Sequence, residues 1–350
     1  METIPKTQRA IVLEKFGPEA ILRTDVPVPK PAADEALVRI VKTGHSDLHI
    51  QDGEVSVAKK GIRGGHEGAG FVVAVGDKVK DFKVGDRVGV RMTQNVCNNC
   101  EPCFAGHTVG CINRVDMGMA ADGTFAEYCT VQAVGLIKLP DNVSFEQAAP
   151  VLCAGLTVYK GLKLFGNDVK PGNWVVIPGA GGGLGHLAVQ YGKAMGFRIV
   201  AIDGGKDKEE LCKRLGAEVF LDFTKEKNIP SAVRKVTGGG AHGALICATS
   251  QLAYSQAPGY LRPFVGVMVC VALPHNAKLD VPIVLIASRN IQIRGTIMGS
   301  KADTIEALDF VARGLVHNQI EVLPMSKINH VYDRMRKGDI AGRIVLDPRL

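Results

Sequence analysis

The stretch "NWVVIPGAGGGLGHLAVQYGKAMG", residues 173–196, carries the pattern that decides the fold. An apolar run, "WVVIP", precedes a glycine cluster, and apolar residues at helical spacing follow it, which indicates a strand, a tight turn and a helix. Glycines at such a junction let the backbone approach a pyrophosphate, whose charge is met by the free N–H groups of the first helical turn. The stretch therefore predicts a dinucleotide-binding turn.

The residues of this turn and the strand after the helix indicate which cofactor binds. The spacing G-x-G-x-x-x-G is one residue longer than the common fingerprint, and the strand "RIVAID" ends in Asp203, 18 residues after Gly185. A carboxylate there accepts hydrogen bonds from the ribose hydroxyls and repels a 2′-phosphate, which favours NAD(H) over NADP(H). The alternative is a glycine-rich turn with a surface aspartate. The expected cofactor contacts in the turn are Gly179, Gly181, Gly182, Gly183 and Leu184.

Outward from this turn, the chain changes its pattern once. From residue 173 onward, strands alternate with helices, as in "KEELCKRLG", "EVFLDF" and "GALICAT", which predicts a parallel doubly wound sheet. The first 150 or so residues are instead short strands separated by Gly, Pro and Asp. The last fifty carry one helix pattern, "DTIEALDFVARG", and a short strand, "RIVLD". The predicted fold class is α/β, with a β-rich domain beside a Rossmann sheet.

Length, composition and charge narrow the class of protein. A chain of 350 residues exceeds the usual size of one core and suggests two domains. Hydrophobic residues make up 46% of it, yet no apolar run approaches 18 residues and no export signal begins it, so we expect a cytoplasmic protein with no membrane partner. The net charge of +7 is spread along the chain and mixed with acidic residues, which argues against a nucleic-acid partner.

Four of the nine cysteines stand close together in "CNNCEPCFAGHTVGC". Their spacing, C-x2-C-x2-C-x7-C, allows four thiolates to surround a tetrahedral zinc ion and leaves no position open for substrate, as in a structural site. An iron–sulfur cluster and a chance group of thiols are the alternatives. The predicted ligands of a structural zinc are Cys97, Cys100, Cys103 and Cys111.

The order of these motifs, together with "GGHEGAG" and "VLCAGLTVYKGLK", resembles the zinc-containing medium-chain alcohol dehydrogenases over essentially the whole chain. The stretches "GGLGHLAVQYGKAMGFR" and "ADTIEALDFVARGLV" look most like the fungal, yeast-type branch. The resemblance implies a GroES-like catalytic domain made of residues 1–157 and 297–350, with a zinc lobe at about 95–113, and a Rossmann domain at 158–296. It also implies a small-molecule substrate and a homo-oligomer, either a dimer or a tetramer.

One departure from the family pattern falls on the catalytic zinc. In the family that zinc is held by a cysteine before a His-Thr/Ser-Asp stretch, by the histidine of G-H-E and by the cysteine that opens C-A-G; these positions match Gly44, His66 and Cys153. Glycine has no side chain, and two strong ligands are too few for tight zinc binding. We therefore expect one structural zinc, with a second zinc left open.

The remaining matched positions supply the expected catalytic and cofactor contacts. Ser46 matches the hydroxyl that binds the substrate oxygen and begins a proton relay, and His49 matches its outer end. Asp47 and Glu67 match carboxylates that orient the ligands, and Glu67 is also a possible third ligand. The other matched cofactor contacts are His45, Thr157, Lys208 and Arg343, the last of which is expected to pair with pyrophosphate oxygens.

The expected activity is NAD(H)-dependent hydride transfer to or from a carbonyl or conjugated carbonyl compound, with the catalytic zinc weakened or absent. Val55 and Met92 stand where the yeast-type enzymes carry tryptophans, which predicts a pocket for a substrate larger than ethanol; loop drift with an unchanged pocket is the alternative. Three other activities stay open: zinc-free reduction of enone or enal double bonds, redox-neutral chemistry with bound cofactor, and an inactive NAD-binding scaffold.

Overall fold

The computed structural model describes residues 3–17 and 19–350. The chain forms two compact units: Met1–Cys153 with Ser300–Ala312 and Ile320–Leu350, and Ala154–Gly299 with Arg313–Gln319. The first unit is made from both ends of the chain. Within the described residues, no helix has the length and apolar character needed to cross a membrane.

The first 153 residues are mainly short strands, because Gly, Pro and Asp interrupt the apolar runs every few residues. A strand pair, β1 with β2, stands beside a larger sheet in which β3 contacts β4 and β8 in antiparallel register. Three single-turn helices interrupt the strands, which the sequence pattern does not reveal. The elements are β1 Thr7–Val12, β2 Ile21–Pro27, β3 Glu35–Thr43, α1 Leu48–Gln51, β4 Gly68–Val75, β5 Arg87–Val90, β6 Thr93–Asn95, α2 Glu101–Phe104, β7 Val115–Asp116, β8 Tyr128–Gln132, β9 Leu136–Lys138 and α3 Phe145–Ala148, with 3₁₀ turns at Thr108–Gly110, Ala133–Gly135 and Ala149–Leu152.

The second unit is a six-stranded parallel sheet in the order β12-β11-β10-β13-β14-β15. Its central strands are buried apolar runs, as expected for strands covered on both faces, and the order reverses beside β10, where open α/β sheets bind ligands. The elements are α4 Ala154–Lys163, β10 Trp174–Pro178, α5 Gly185–Ala194, β11 Arg198–Asp203, α6 Lys206–Leu215, β12 Val219–Asp222, α7 Ile229–Val236, β13 Gly243–Ile246, α8 Gln251–Tyr260, β14 Val267–Cys270, α9 Ile283–Arg289 and β15 Gln292–Gly295, with a 3₁₀ turn at Gly166–Asp168.

The C-terminal segment returns to the first unit and extends its sheet. It contains α10 Lys301–Ala312, β16 Ile320–Pro324, a 3₁₀ turn at Met325–Lys327, α11 Ile328–Lys337 and β17 Arg343–Asp347. Strand β17 pairs with β16 in parallel and with β3 in antiparallel orientation, at Leu346 and Thr43. The predicted helix and strand are present as α10 and β17, but the prediction missed β16 and α11. Helix α11 buries Ile328, Val331 and Tyr332 and packs Met335 against the same apolar cluster, a spacing of i, i+3, i+4 and i+7, so the sequence carried an amphipathic-helix signal that the prediction overlooked.

Candidate active site and cofactor-binding turn

The four predicted zinc-binding cysteines lie together in the lobe around α2. The Sγ atoms of Cys97, Cys100, Cys103 and Cys111 all lie within 4.8 Å of one another, and the Cys100–Cys103 and Cys97–Cys111 pairs are 3.5 Å apart. Four Zn–S bonds of about 2.3 Å in a tetrahedron place sulfurs about 3.8 Å apart, so the arrangement fits one zinc ion. Hydrogen bonds from the backbone of Cys103 and Ile112 lower the pKa of Cys100 to about 6, whereas burial raises the pKa of Cys103 to about 12, so Cys100 ionises before Cys103 does.

A second group of metal-binding side chains lies in the same unit. One ligand atom each from His66, Glu67 and Cys153 lies within 4.8 Å of the others. The Nε2 atom of His66 is 3.2 Å from the Cys153 Sγ, and the Nδ1 atom is 2.8 Å from Asp47 Oδ1. When His66 is neutral and donates its Nδ1–H to Asp47, the lone pair of Nε2 faces the thiol. This is how a carboxylate orients a histidine that binds a metal.

The charges around His66 favour its protonated form when no cation is present. Burial lowers the pKa of His66, but the negative charges of Asp47 and Cys153 outweigh burial and raise this pKa well above its ordinary value. A divalent cation beside Nε2 would replace the proton there. The pocket therefore has a negative field that fits a cation.

The carboxylate of Glu67 occupies the space next to Gly44. Strands β3 and β4 pair up to Thr43 and Gly68, so the two residues that follow and precede them are neighbours, and the Gly44 N–H donates to the Glu67 backbone oxygen over 3.0 Å. A Cβ atom built on Gly44 would lie 2.3 Å from both Cδ and Oε1 of Glu67. Any side chain at position 44 would therefore require the Glu67 side chain to move.

Two further residues hold the Glu67 carboxylate in this position. The Arg343 Nη2 atom donates to both carboxylate oxygens, over 3.0 and 3.2 Å, and Ser46 Oγ donates to Oε1. Glu67 is fully buried, so this charge-assisted pair is shielded from water. The Nε atom of Arg343 is buried without a hydrogen-bond partner among the described residues, so the guanidinium has a free donor for an anionic group.

The two other predicted site histidines, His45 and His49, have different surroundings. His45 is buried with Nδ1 2.6 Å from the Ile344 backbone oxygen, and burial together with the Arg343 charge lowers its pKa to about 3, so this ring is neutral at physiological pH. His49, the second residue of α1, is partly exposed, and its Nδ1 contacts the Glu54 carboxylate. Glu54 was missed at the sequence level, although its position five residues after His49, across a Gly turn, is a usable signal.

The glycine turn after β10 has the tight geometry expected of a dinucleotide site. Gly179 has a φ of +77°, in the left-handed region that favours glycine. A Cβ on Gly185, the first residue of α5, would lie 2.0 Å from the Gly179 carbonyl oxygen. Asp203, at the end of β11, accepts a hydrogen bond from the Gly181 N–H over 2.8 Å and contacts Lys208 Nζ at 3.1 Å. Gly179, Gly181, Gly185, Asp203 and Lys208 thus meet around one turn.

The structure also places the remaining predicted residues. Gly182, Gly183 and Leu184 lie between β10 and α5, and Thr157 is buried on α4. Met92 is buried between β5 and β6, and Val55 is partly buried after α1.

Comparison with known proteins gives the family. Residues 32–141 match the family model of the alcohol dehydrogenase GroES-like domain, and residues 183–313 match that of the zinc-binding dehydrogenase. The chain is 48% identical over 349 residues to an alcohol dehydrogenase of Schizosaccharomyces pombe, with 99% of each chain covered. It is 43% identical over 350 residues to alcohol dehydrogenase 1 of Emericella nidulans, again with 99% of each covered.

The fold is also that of a solved NAD-dependent alcohol dehydrogenase. That structure superposes with a TM-score of 0.89 at 29% identity, over 97% of this chain and 99% of the other. The fold class predicted from the sequence, a GroES-like domain with a Rossmann domain, is confirmed. The chain belongs to the zinc-type, medium-chain alcohol dehydrogenase family and is an NAD-dependent oxidoreductase of small molecules.

Proposed function

We propose that this enzyme transfers hydride between NAD(H) and a carbonyl or conjugated carbonyl compound larger than ethanol, at a site whose catalytic zinc is weakened or absent. The observation that carries the proposal is the donor set beside Gly44. His66 and Cys153 stand 3.2 Å apart with Asp47 behind the imidazole, as a hydride-transferring dehydrogenase of this family needs, while position 44 offers no ligand.

The proton and the hydride leave an alcohol by separate routes. The C–H hydride, with both electrons, would pass to NAD⁺, and the hydroxyl proton would pass to Ser46 and onward to solvent, which leaves a carbonyl compound, NADH and H⁺. Ser46 Oγ can hold the substrate oxygen, and Glu67, to which it donates, can accept a proton. His49 has the Glu54 carboxylate on Nδ1, which suits Nε2 to the role of proton acceptor at the outer end.

Two metal sites of different strength follow from the donor sets. The four-cysteine cluster is assigned to one structural zinc, because its ligands fill all four positions. Zinc at the second site would supply Lewis acidity to the substrate oxygen, a contribution worth several kcal/mol in this kind of chemistry. With no side chain at Gly44, that contribution is reduced or lost unless another residue replaces the ligand.

Cofactor preference is assigned to Asp203. Its carboxylate is 5% exposed at the end of β11 and is held by the Gly181 and Gly204 N–H groups. A fixed negative charge there repels a 2′-phosphate, so we assign NAD(H) rather than NADP(H). The positively charged Arg343, with its unpaired Nε, is assigned to the pyrophosphate. Thr157, His45, Lys208 and the glycine turn complete the proposed cofactor contacts.

The substrate class is assigned from Met92 and Val55, which are smaller than the tryptophans at the matching positions of the yeast-type branch. The test is a turnover panel that compares ethanol and acetaldehyde with bulky ketones, enals and enones, monitored by NADH absorbance. We expect the larger compounds to have the higher kcat/KM, and Met92→Trp to lower kcat/KM for these by more than for acetaldehyde. If small primary alcohols outcompete the bulky compounds, the assignment of substrate size is wrong.

The absence of a ligand at Gly44 favours one second candidate, zinc-free reduction of an enone or enal double bond. In that reaction Ser46 or His49 would hold the enolate oxygen by a hydrogen bond. Products identify the reaction: a saturated carbonyl compound indicates double-bond reduction, an isomer formed without net NADH consumption indicates redox-neutral chemistry, and NADH binding without turnover indicates a scaffold.

We also assign this enzyme to the cytoplasm as a homo-oligomer, either a dimer or a tetramer, that associates through the edge of its parallel sheet. Among the strands that the described residues form, β15 ends the strand order, which leaves one side of its ladder open. Close by in sequence, Ile283 and Val284 on α9 are 78% and 72% exposed, an unusual exposure for apolar residues on a monomer.

A further inference from the structure

We infer that His66, Cys153 and Glu67 form a three-ligand zinc site, in which the Glu67 carboxylate replaces the ligand that Gly44 cannot supply. This inference rests on the proposed function, since it concerns the same pocket. It goes beyond that function by assigning a specific substitute ligand and a dependence between two positions of the chain.

The first argument is the position of the carboxylate. Oε1 and Cδ of Glu67 lie 2.3 Å from where the Cβ of residue 44 would stand, so the carboxylate fills the volume in which a side chain at this position would begin. One ligand atom of Glu67 is within 4.8 Å of those of both His66 and Cys153. Tetrahedral zinc with bonds of about 2.0–2.3 Å requires ligand atoms roughly 3.3–3.8 Å apart, so small side-chain adjustments are enough.

The second argument is the chemistry of the donors. An imidazole nitrogen, a thiolate and a carboxylate oxygen are all ordinary zinc ligands, and three protein ligands leave a fourth position open, as catalytic zinc sites do. Asp47 fixes the His66 ring with Nε2 toward the Cys153 thiol, so two of the ligands are already oriented. Thiolate and carboxylate charges together balance the charge of a divalent cation.

The contacts of Glu67 make this site weaker than a Cys-His-Cys site. Arg343 Nη2 lies 3.0 and 3.2 Å from the two Glu67 carboxylate oxygens, and Ser46 also donates to one of them. A metal must share the carboxylate with this guanidinium, whose positive charge opposes the cation. The site should therefore lose its metal to a chelator well before the four-cysteine cluster does.

The close approach of Glu67 to residue 44 makes these two positions interdependent. A side chain at position 44 and the present Glu67 conformation exclude each other, because the 2.3 Å distance from the Cβ of residue 44 to Glu67 Oε1 is too short for atoms that are not bonded to each other. Gly44→Cys should therefore restore a thiolate ligand and displace the carboxylate. Glu67 should matter for metal binding when residue 44 is glycine and matter little when it is cysteine.

The test measures metal binding by the full-length protein rather than turnover. Protein that retains only the four-cysteine zinc, verified by elemental analysis, is titrated with Co²⁺, and the thiolate-to-cobalt absorption is followed, with Zn²⁺ competition for affinity. We expect one further ion per chain. Glu67→Gln should weaken its binding by at least the roughly 10–100-fold that loss of an outer hydrogen-bond partner costs at a metal site. Glu127→Gln, a change at a carboxylate paired with Arg9, is the matched control and should leave metal affinity unchanged.

The decisive comparison is the same Glu67→Gln change in the Gly44→Cys background. We expect the Gly44→Cys protein to bind the second ion at least tenfold more tightly, and Glu67→Gln to cost less than about threefold there. The inference is overturned if Glu67→Gln leaves metal affinity unchanged in the glycine protein, or if that protein binds no second ion while Gly44→Cys does. NADH turnover by the chelated protein is measured separately, so that failure of the metal site and failure of the proposed function are distinguished: turnover without the second ion leaves the proposed function standing whatever the metal titration shows.

Discussion

The replacement Gly185→Ala tests the glycine turn that decides the fold. The new Cβ would lie 2.0 Å from the Gly179 carbonyl oxygen and 2.5 Å from the Ala180 Cα, and both are backbone atoms that cannot rotate away. At an unstrained helix position, Gly→Ala stabilises a protein by about 0.4–1 kcal/mol. Here the turn must open, and overpacking of this kind typically costs about 1–3 kcal/mol.

The expected loss of stability can be measured as a decrease in Tm. For a protein of 150–250 residues, each kcal/mol lowers Tm by roughly 2–4 °C, so the unfolding of the parallel-sheet unit should move down by about 2–12 °C. NADH should bind at least tenfold more weakly, since the N–H groups that face the pyrophosphate move with the turn. Scanning calorimetry and NADH fluorescence titration measure the two effects.

Gly182→Ala is the matched control for stability. It lies in the same turn, but its Cβ would have a single neighbour, the Gly179 oxygen at 3.5 Å, which is an ordinary contact. We expect its Tm to stay within about 2 °C of the wild type. Equal stability of Gly185→Ala and the wild type, with unchanged NADH affinity, would refute the argument, as would an equal loss in Gly182→Ala.

Three further predictions follow from single contacts. Lys42 Nζ lies 2.7 Å from Asp347 in a buried pair, so Lys42→Met should lower the free energy of unfolding by about 3–5 kcal/mol in urea titrations. Burial raises the pKa of Asp347, but the hydrogen bonds from Lys42 and Arg349 outweigh burial, so the pKa in the folded protein lies below the usual value. The stability that Asp347 contributes is therefore present above about pH 4 and is lost as the pH falls through the folded-state pKa. Lys42→Met should flatten this acid dependence. Cys103→Ser should remove about one zinc per chain by elemental analysis, whereas Cys270→Ser, outside the cluster, should remove none. Asp203→Asn should raise the ratio of kcat/KM for NADPH over NADH by about tenfold or more, and an unchanged ratio would exclude repulsion of the 2′-phosphate as the basis of the preference.

Local signals in the sequence were enough to predict the glycine turn and the clustering of the four cysteines. The positive φ at Gly179 and the close approach at Gly185 are requirements of the backbone within a few residues, and glycine is the residue that meets them. The four cysteines lie within fifteen residues of one another, from 97 to 111, so their spacing alone predicts a compact cluster. Features that depend on residues so close in sequence can be predicted, because few long-range contacts compete with them.

The arrangement around Gly44 could not be predicted from the sequence and is visible only in the folded chain. The sequence predicted a missing ligand, but the position of Glu67 depends on the β3–β4 register and on Arg343, which is 276 residues away from it in the chain. The contact between His66 and Cys153 likewise joins residues 87 apart. Helix α11 is a different case, because Ile328, Val331 and Tyr332 have helical spacing and were readable in the sequence, so this helix was overlooked rather than hidden.

The most direct test of the central claim follows the hydride itself. NADH that carries deuterium at the transferable C4 position is incubated with a bulky ketone or enal, and the product is examined by mass spectrometry and NMR. The account predicts deuterium on the former carbonyl carbon of a product alcohol. Deuterium on the β-carbon of a saturated carbonyl compound would contradict it in favour of double-bond reduction, and label that stays in the cofactor across the substrate panel would contradict hydride transfer altogether.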